Sequence, residues 1–499
     1  MNEHDYQQRI LELEKQNTKL ASRNHYLEEL FRLAQHKQFG KSSEGHSGQG
    51  ELFNEVEEIL AVVAEPETET ITYTRGKAKR AKLPANLPRE RVVHDIADVD
   101  KICGTCDHEL HQIGEDNSEK LEFIPAQVKV IEHIRPKYAC RACEKNGTSN
   151  TIKQAPVPNS VIPKGYATPS LLSQIITSKY QFGLPLYRQE AMFKQYGIEL
   201  SRKTMSDWMM KCAEILKPLY DRLHELILEQ PVIAADETTL NVVKEDKAKC
   251  YMWLYCTGTD SPDNKLIGAD IPNIVLFDYQ ISRAGKCAVD YLQGYSGYLQ
   301  VDGYAGYEKS QATLVGCWAH ARRKFTEAKT AQGKKPSGRA DWALNHIQKL
   351  YRIERQIKDK AIDERLAIRQ EKVLPLLEQF KQWLITSEQQ VLPKTKLGEA
   401  IFYCLNQWKK LTAYPTNGQL NIDNNRAERA IKPFVIGRKN WLFSNTAKGA
   451  DASAVLYSVI ETAKANGLTP FDYVMTTLEQ LSQPEVDIEQ LLPWHAAKP

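Results

Sequence analysis

Three acidic residues lie far apart in this chain, each in a setting that could deliver a carboxylate to a shared site. Pro231-Val-Ile-Ala-Ala-Asp236 is a short apolar run that reaches an acid. A buried strand stopping there would present Asp236 at the edge of a sheet, where a cleft can form. Gly297-Tyr-Leu-Gln-Val-Asp302-Gly303 repeats the arrangement and adds a glycine turn. Gln300 interrupts its apolar run, so this strand is expected to be less buried on one face. Asn424-Asn-Arg-Ala-Glu428-Arg-Ala-Ile-Lys432 reads as the start of a helix, with Asn425, Glu428 and Lys432 on one face. Two aspartates from strands and a glutamate from a helix can hold two metal ions about 4 Å apart. Mg²⁺ suits such a site, because it prefers carboxylate oxygens and retains water ligands. One ion would activate a water or a 3′-hydroxyl, and the other would stabilise the leaving oxygen of an in-line displacement at phosphorus. Strand-end aspartates are also ordinary turn formers. By spacing alone, Asp278 and Glu237 are rival ligands.

A second chemistry is written in the cysteines. Cys103-Gly-Thr-Cys106 and Cys140-Arg-Ala-Cys143 form two CxxC pairs. Each pair can place two thiolates on one tight turn, and two turns complete a closed tetrahedral zinc site of the structural kind. The long gap between the pairs leaves room for a β-hairpin. His108 and His111 are nearby substitutes. A metal also explains how so short a segment stays folded. Cys317-Trp-Ala-His320-Ala-Arg-Arg-Lys-Phe325 offers a further Cys and His, though no partner pair is evident from the sequence. His320, with Arg322, Arg323 and Lys324 beside it, could position a phosphate or an attacking water.

Cations that could hold a polyanion occur in several places. Residues 184–216 read as two helices: one from about Tyr187 to Tyr196, ended by Gly197, and a second capped by Ser201. Met205, Trp208, Met209 and Cys212 would bury one face of the second. Arg202, Lys203 and Thr204 stand at its start, where a helix-turn-helix contacts base edges. Arg188 lies on the first helix. Arg426, Arg429 and Lys432 flank Glu428, and Arg438 and Lys439 follow on the same helical stretch. The run from Arg75 to Arg91 holds seven basic residues against one acid, with Gly76, Pro84 and Pro88 opposing a helix. It can lie along phosphates or serve as a solvated linker.

The elements that must position these groups can be read coarsely. Residues 6–36 carry a heptad pattern, with Ile10, Asn17, Asn24 and Phe31 at one seam position and Leu13, Leu20, Leu27 and Ala34 at the other. This resembles a short dimerising zipper in which buried Asn sets register. A polar and acidic linker follows. Residues 92–155 hold the paired cysteines and β-like runs, 165–230 are helical, 231–325 are strand-rich, and 340–411 return to helical spacing. The expected divisions are 1–40 (zipper helix), 41–91 (linker), 92–160 (zinc domain), 161–230 (helix-turn-helix region), 231–325 (first part of a catalytic core), 326–420 (helical insertion), 421–480 (glutamate helix and C-terminal helices) and 481–499 (tail). The 499 residues carry a net charge of only +3, so local rather than global electrostatics matter. No apolar run reaches the roughly 18 residues of a membrane span. The polar N-terminus lacks a signal-peptide core. A cytoplasmic, nucleoid-associated protein is expected, its ten cysteines serving as metal ligands or core residues.

Longer strings carry a resemblance. FGKSSE (39–44), LPANLPRERVVHDI (83–96), the CxxC pairs, PLYRQE (185–190), ADET (235–238), VDGYAGY (301–307), CWAHARRKF (317–325) and NNRAERAIKPFVIGRKNWLFSNTAKGA (424–450) occur in this order. The chain resembles, over nearly its whole length, the large catalytic subunit of transposases of insertion-sequence family sixty-six. The resemblance implies a multidomain α/β protein with an RNase H-like, retroviral-integrase-type mixed-sheet core. It implies a DDE triad at Asp236, Asp302 and Glu428, with zinc on Cys103, Cys106, Cys140 and Cys143. It also implies the zipper, a helix-turn-helix for DNA ends, a helical insertion before the glutamate helix, and accessory transposition proteins. The expected partners are inverted-repeat and target DNA and a second copy or higher oligomer, with no membrane. Two alternatives are a nuclease without a joining step and a DNA-binding regulator with an inert core.

Overall fold

The computed structural model of the chain describes residues 152–496 apart from 248, 263–269 and 333–337. It also describes 89–94, 127–139 and scattered positions within 9–31 and 114–121. The chain divides into two units, one of residues 1–63 with 136–499 and one of 64–135. In the smaller unit the described residues are almost all exposed and carry no helix or strand. In the N-terminal stretch the described positions between 9 and 31 are helical, and Leu13, Leu20, Leu27 and Phe31 are exposed. Among the described residues, no helix is long and apolar enough to cross a membrane.

From residue 136 onward the larger unit begins with a short antiparallel pair, β1 (Lys137–Ala139) and β2 (Ile152–Gln154). The segment joining them carries Cys140 and Cys143, so this pair brackets the second CxxC rather than lying between the two. All four CxxC cysteines lie outside the described residues. Three helices follow: α1 (Pro169–Tyr180), α2 (Leu186–Gln195) and α3 (Arg202–Leu228). The turn between α2 and α3 forms as the residues require. Gly197 takes φ +75, a left-handed conformation that favours glycine. The Ser201 side chain accepts from the Thr204 N–H at the start of α3. The apolar stripe of α3 begins at Met205, Trp208, Met209 and Cys212 and continues through Leu216, Leu219, Leu223 and Ile227, all buried.

The central sheet is built from β3 (Val232–Leu240), β4 (Cys250–Cys256), β5 (Val275–Gln280), β6 (Tyr298–Gln300) and β7 (Thr313–Val315). Its order is β5-β4-β3-β6-β7. The β3–β4 and β4–β5 pairs are antiparallel, and β3–β6 and β6–β7 are parallel. The sequence CYMWLYC of β4 is almost wholly buried, as a strand covered on both faces should be. Helix α4 (Gly285–Tyr291) links β5 to β6. Beyond β7 come α5 (Trp318–Gln332), α6 (Arg339–Ile357), α7 (Ile362–Ile368), α8 (Leu374–Glu388), α9 (Lys396–Asn406) and α10 (Trp408–Leu411). Helix α5 runs across the 325/326 division expected from sequence, so the strand-rich region passes into the helical one without a break. The chain closes with α11 (Asn425–Trp441), α12 (Ala447–Ala465) and α13 (Pro470–Leu481).

Two hydrophobic cores result. One joins the sheet to α1, α3, α11, α12 and α13. The other lies among α5, α6, α8 and α9, with Trp318, Phe325, Ile347, Phe380 and Ile401 at its centre. The β5 edge is closed by side chains rather than another strand. Val275 N–H donates to Thr462 Oγ1 (3.0 Å) and Phe277 N–H to Ser458 Oγ (2.7 Å), both from α12. An edge so covered presents no open row of donors to another chain.

Candidate active site

Sheet register brings the two aspartates together. In the parallel β3–β6 pair, Ala234 stands opposite Gln300. Continuing that register by two residues sets Asp302, just past the end of β6, level with Asp236. The β3 strand does not stop at Asp236, as its sequence suggested, but runs on to Leu240, because Thr238, Thr239 and Leu240 still pair with β4. Asp236 is therefore set within a strand, and Oδ1 accepts the Glu237 N–H at 2.8 Å. Asp302 begins a turn, its Oδ1 accepting the Tyr304 N–H at 2.8 Å. At the following position a Cβ on Gly303 would lie 2.9 Å from the Tyr403 ring of α9, so this turn needs glycine for close approach.

The third acid arrives with α11, which packs on β3 and β4. The loop before this helix is pinned to the sheet by amide side chains. Gln300 is buried, although its place in the apolar run suggested a strand less buried on one face. Its Nε2 donates to the carbonyls of Asn421 and Asp423, and its Oε1 accepts the Asn421 N–H. Asn424 Nδ2 donates to the Ala235 carbonyl at 2.8 Å, one residue before Asp236. A polar residue inside a strand is stable when its hydrogen bonds are complete. Here those bonds fix where Glu428 enters.

Electrostatics report the convergence. Burial holds the Asp236 carboxyl well above its ordinary value, and the negative charges of Glu237, Asp302 and Glu428 push it the same way. Burial pushes the His320 imidazole down to about 4, helped by Arg323 and Lys324 and opposed by Asp302. His320 is thus neutral at pH 7. Its Nδ1 lies 3.7 Å from Glu428 Oε1, too far for a hydrogen bond, and with the ring uncharged this is no ion pair. Glu237 is engaged elsewhere. It pairs with Arg283 and accepts from the Tyr307 hydroxyl at 2.6 Å. Asp278 lies on β5, two strands from Asp236, and bonds Gln280.

The cations divide into two groups. Arg426 is buried, bound to Asp260 and to the Thr257 carbonyl, and so leaves the set of expected phosphate contacts. Arg438 is likewise turned inward onto Thr238 and Thr239. Arg429 pairs with the same Asp260 but remains exposed. Arg322, Arg323 and Lys324 are half-buried on the first turns of α5 beside His320, Lys432 is half-buried on α11, and Lys439 is exposed. Arg188, Arg202 and Lys203 are exposed on α2 and α3, and Thr204 is half-buried. Glu190 Oε1 accepts the Arg202 N–H at 3.1 Å, placing an acid at the start of α3. One pair escaped sequence reasoning, and one candidate gained the partner that the sequence did not show. Arg283 and Tyr304 stack at 3.9 Å beside Glu237, and Cys317 falls within reach of His320 and Glu428. Tyr304 could have been suspected from VDGYAGY; Arg283 carries no local signal.

Comparison with known proteins identifies the family. Residues 164–452 match the family described as "Transposase IS66 family". Residues 100–144, which include all four CxxC cysteines, match the zinc-finger binding domain of transposase IS66. Residues 26–92 match "Transposase C of IS166 homeodomain", and 458–494 match the IS66 C-terminal element. The uncharacterized protein y4jD of Sinorhizobium fredii is 35% identical over 84% of this chain and 83% of its own length. The uncharacterized protein y4hP of the same organism is 33% identical over 88% of this chain and 81% of its own. No solved structure matches. A family match over more than half the chain, with its zinc-finger and C-terminal companions in order, shows that the chain belongs to the IS66 family of transposases.

Proposed function

We propose that this transposase cuts element-end DNA and joins it to a target at one DDE centre formed by Asp236, Asp302 and Glu428. The observation that carries the reading is that Asp302 lies level with Asp236 in the parallel β3–β6 register, and that the charges of Asp302 and of Glu428 on α11 both act on the Asp236 carboxyl. Crowded acids destabilise one another unless a cation joins them. The donors are all carboxylate oxygens, which suit a hard divalent ion of the Mg²⁺ class. Such ions supply Lewis-acid stabilisation of the phosphate oxygens and activation of the attacking oxygen. The sheet order β5-β4-β3-β6-β7, with only β4 antiparallel to β3, supports an RNase H-type core.

The chain's own groups then have defined tasks. Gln300 and Asn424 hold the glutamate helix against the strand of Asp236. His320 adds a neutral hydrogen-bonding ring beside Glu428. Arg322, Arg323, Lys324 and Lys439 draw the DNA backbone toward the acids. Arg202, Lys203 and Arg188 offer a second contact, at the α2–α3 turn, for the inverted-repeat ends. In the first step a water oxygen bonds to phosphorus and the phosphorus–O3′ bond breaks, freeing a 3′-hydroxyl. In the second, that oxygen bonds to a target phosphorus and one target phosphorus–oxygen bond breaks. Zinc on Cys103, Cys106, Cys140 and Cys143 would keep its domain folded. The exposed leucine seam at 13, 20 and 27 supports pairing with a second copy.

The test is a cleavage and strand-transfer assay on labelled element-end DNA with Mg²⁺. Wild type is compared with Asp236→Asn, Asp302→Asn and Glu428→Gln, with any accessory transposition proteins supplied. Each change should lower both steps by about 10²–10³-fold or more while leaving DNA binding intact. A variant that keeps full activity removes its acid from the triad.

A further inference from the structure

The group least explained by a carboxylate centre is Cys317. Its thiol is fully buried in the last residue before α5. Its sulfur accepts a backbone N–H from Asn424 at 3.3 Å, and another from His320. It thus sits between the starts of α5 and α11. Ligand atoms of Cys317, His320 and Glu428 all lie within 4.8 Å of one another. His320 Nδ1 is buried and makes no hydrogen bond. Its distance of 3.7 Å from Glu428 Oε1 is too long for a hydrogen bond but close to the spacing of two ligands of one ion. With metal–nitrogen and metal–oxygen bonds of about 2.0–2.2 Å, tetrahedral ligands stand about 3.3–3.6 Å apart.

We propose that Cys317, His320 and Glu428 form a second cation site that takes a thiophilic divalent ion such as zinc. Three protein ligands leave the fourth position to water. The set mixes sulfur, nitrogen and oxygen, which selects zinc over magnesium. On binding, the thiol gives its proton to solvent and sulfur bonds the ion as thiolate. The two sites share Glu428, so an ion held here withdraws that carboxylate from the acids of β3 and β6. Zinc at this site opposes magnesium-supported cutting.

The test counts zinc on the full-length protein after equilibrium dialysis in zinc-containing buffer, for wild type, Cys317→Ser and His320→Ala. The expected result is one equivalent fewer in each variant than in wild type, with the zinc-finger cysteines unchanged. Equal counts in folded variants overturn the proposal and leave Cys317 a packing residue. X-ray absorption at the zinc edge of wild type needs no variant. Mixed sulfur, nitrogen and oxygen ligation supports the site, and purely sulfur ligation overturns it. A third arm rests on the DDE reading: zinc should depress Mg²⁺-dependent cutting in wild type more than in Cys317→Ser. If neither protein cuts, the DDE reading is in question while the zinc count still decides this site.

Discussion

Two regions of this protein bury charge, and they do so in opposite ways. In the helical region, Arg369 is fully buried with every side of its guanidinium used. It bonds the Glu354 carboxylate through two nitrogens and the carbonyls of Tyr414, Asn417 and Leu420. In the sheet region, Asp236 is half-buried among other acids and accepts one backbone N–H. A buried charge with complete partners ties elements together. A half-buried carboxylate crowded by like charges raises the energy of the empty fold and marks a candidate cation site. Under the proposed function, the difference separates scaffold from site.

That comparison can be broken at its strongest point first. Arg369→Ala should lower stability by about 3–5 kcal/mol, because Glu354 and three carbonyls lose their partner. Denaturant unfolding followed by tryptophan fluorescence measures this, and a loss under about 1 kcal/mol would show the network to be dispensable. The next effect comes from Asp278, whose carboxyl burial raises to about 6 from an ordinary 3.8. Between those values the folded state holds a proton that the unfolded state has released. Stability from this group is therefore lost as pH rises from about 4 to about 6, by up to about 3 kcal/mol. The stability advantage of Asp278→Asn over wild type should grow across that window and level off above it. A flat difference would place Asp278 in a more solvated setting. The smallest effect sharpens the contrast. Asp236→Asn should abolish cutting yet stabilise the metal-free protein by about 1 kcal/mol, since it removes charge from a crowded site and keeps the bond to Glu237. A loss of stability in thermal unfolding without added metal would move Asp236 into the scaffold class.

Much of the site was legible in residue order. The α2–α3 turn followed from Gly197 and Ser201, whose backbone and side-chain chemistry is local. The strand approaching Asp302 and the helix carrying Glu428 followed from a short apolar run and from i, i+3, i+7 spacing. The limit appeared wherever a residue's partner was distant. Gln300 looked like a flaw in a strand, yet its amide clamps a loop 121 residues away. Arg426 looked like a phosphate contact, yet Asp260 holds it at a separation of 166.

The sequence by itself determined which elements form, which family the chain resembles, and which acids and cysteines are available for chemistry. Those properties depend on periodicity, capping and residue type within a few positions. Only the tertiary structure decided that Asp302 stands level with Asp236, that Glu237 is held by Arg283, and that Cys317 meets Glu428. Parallel register and helix docking set those distances. They arise from how cores close between segments 46 or more residues apart, where local patterning carries no information.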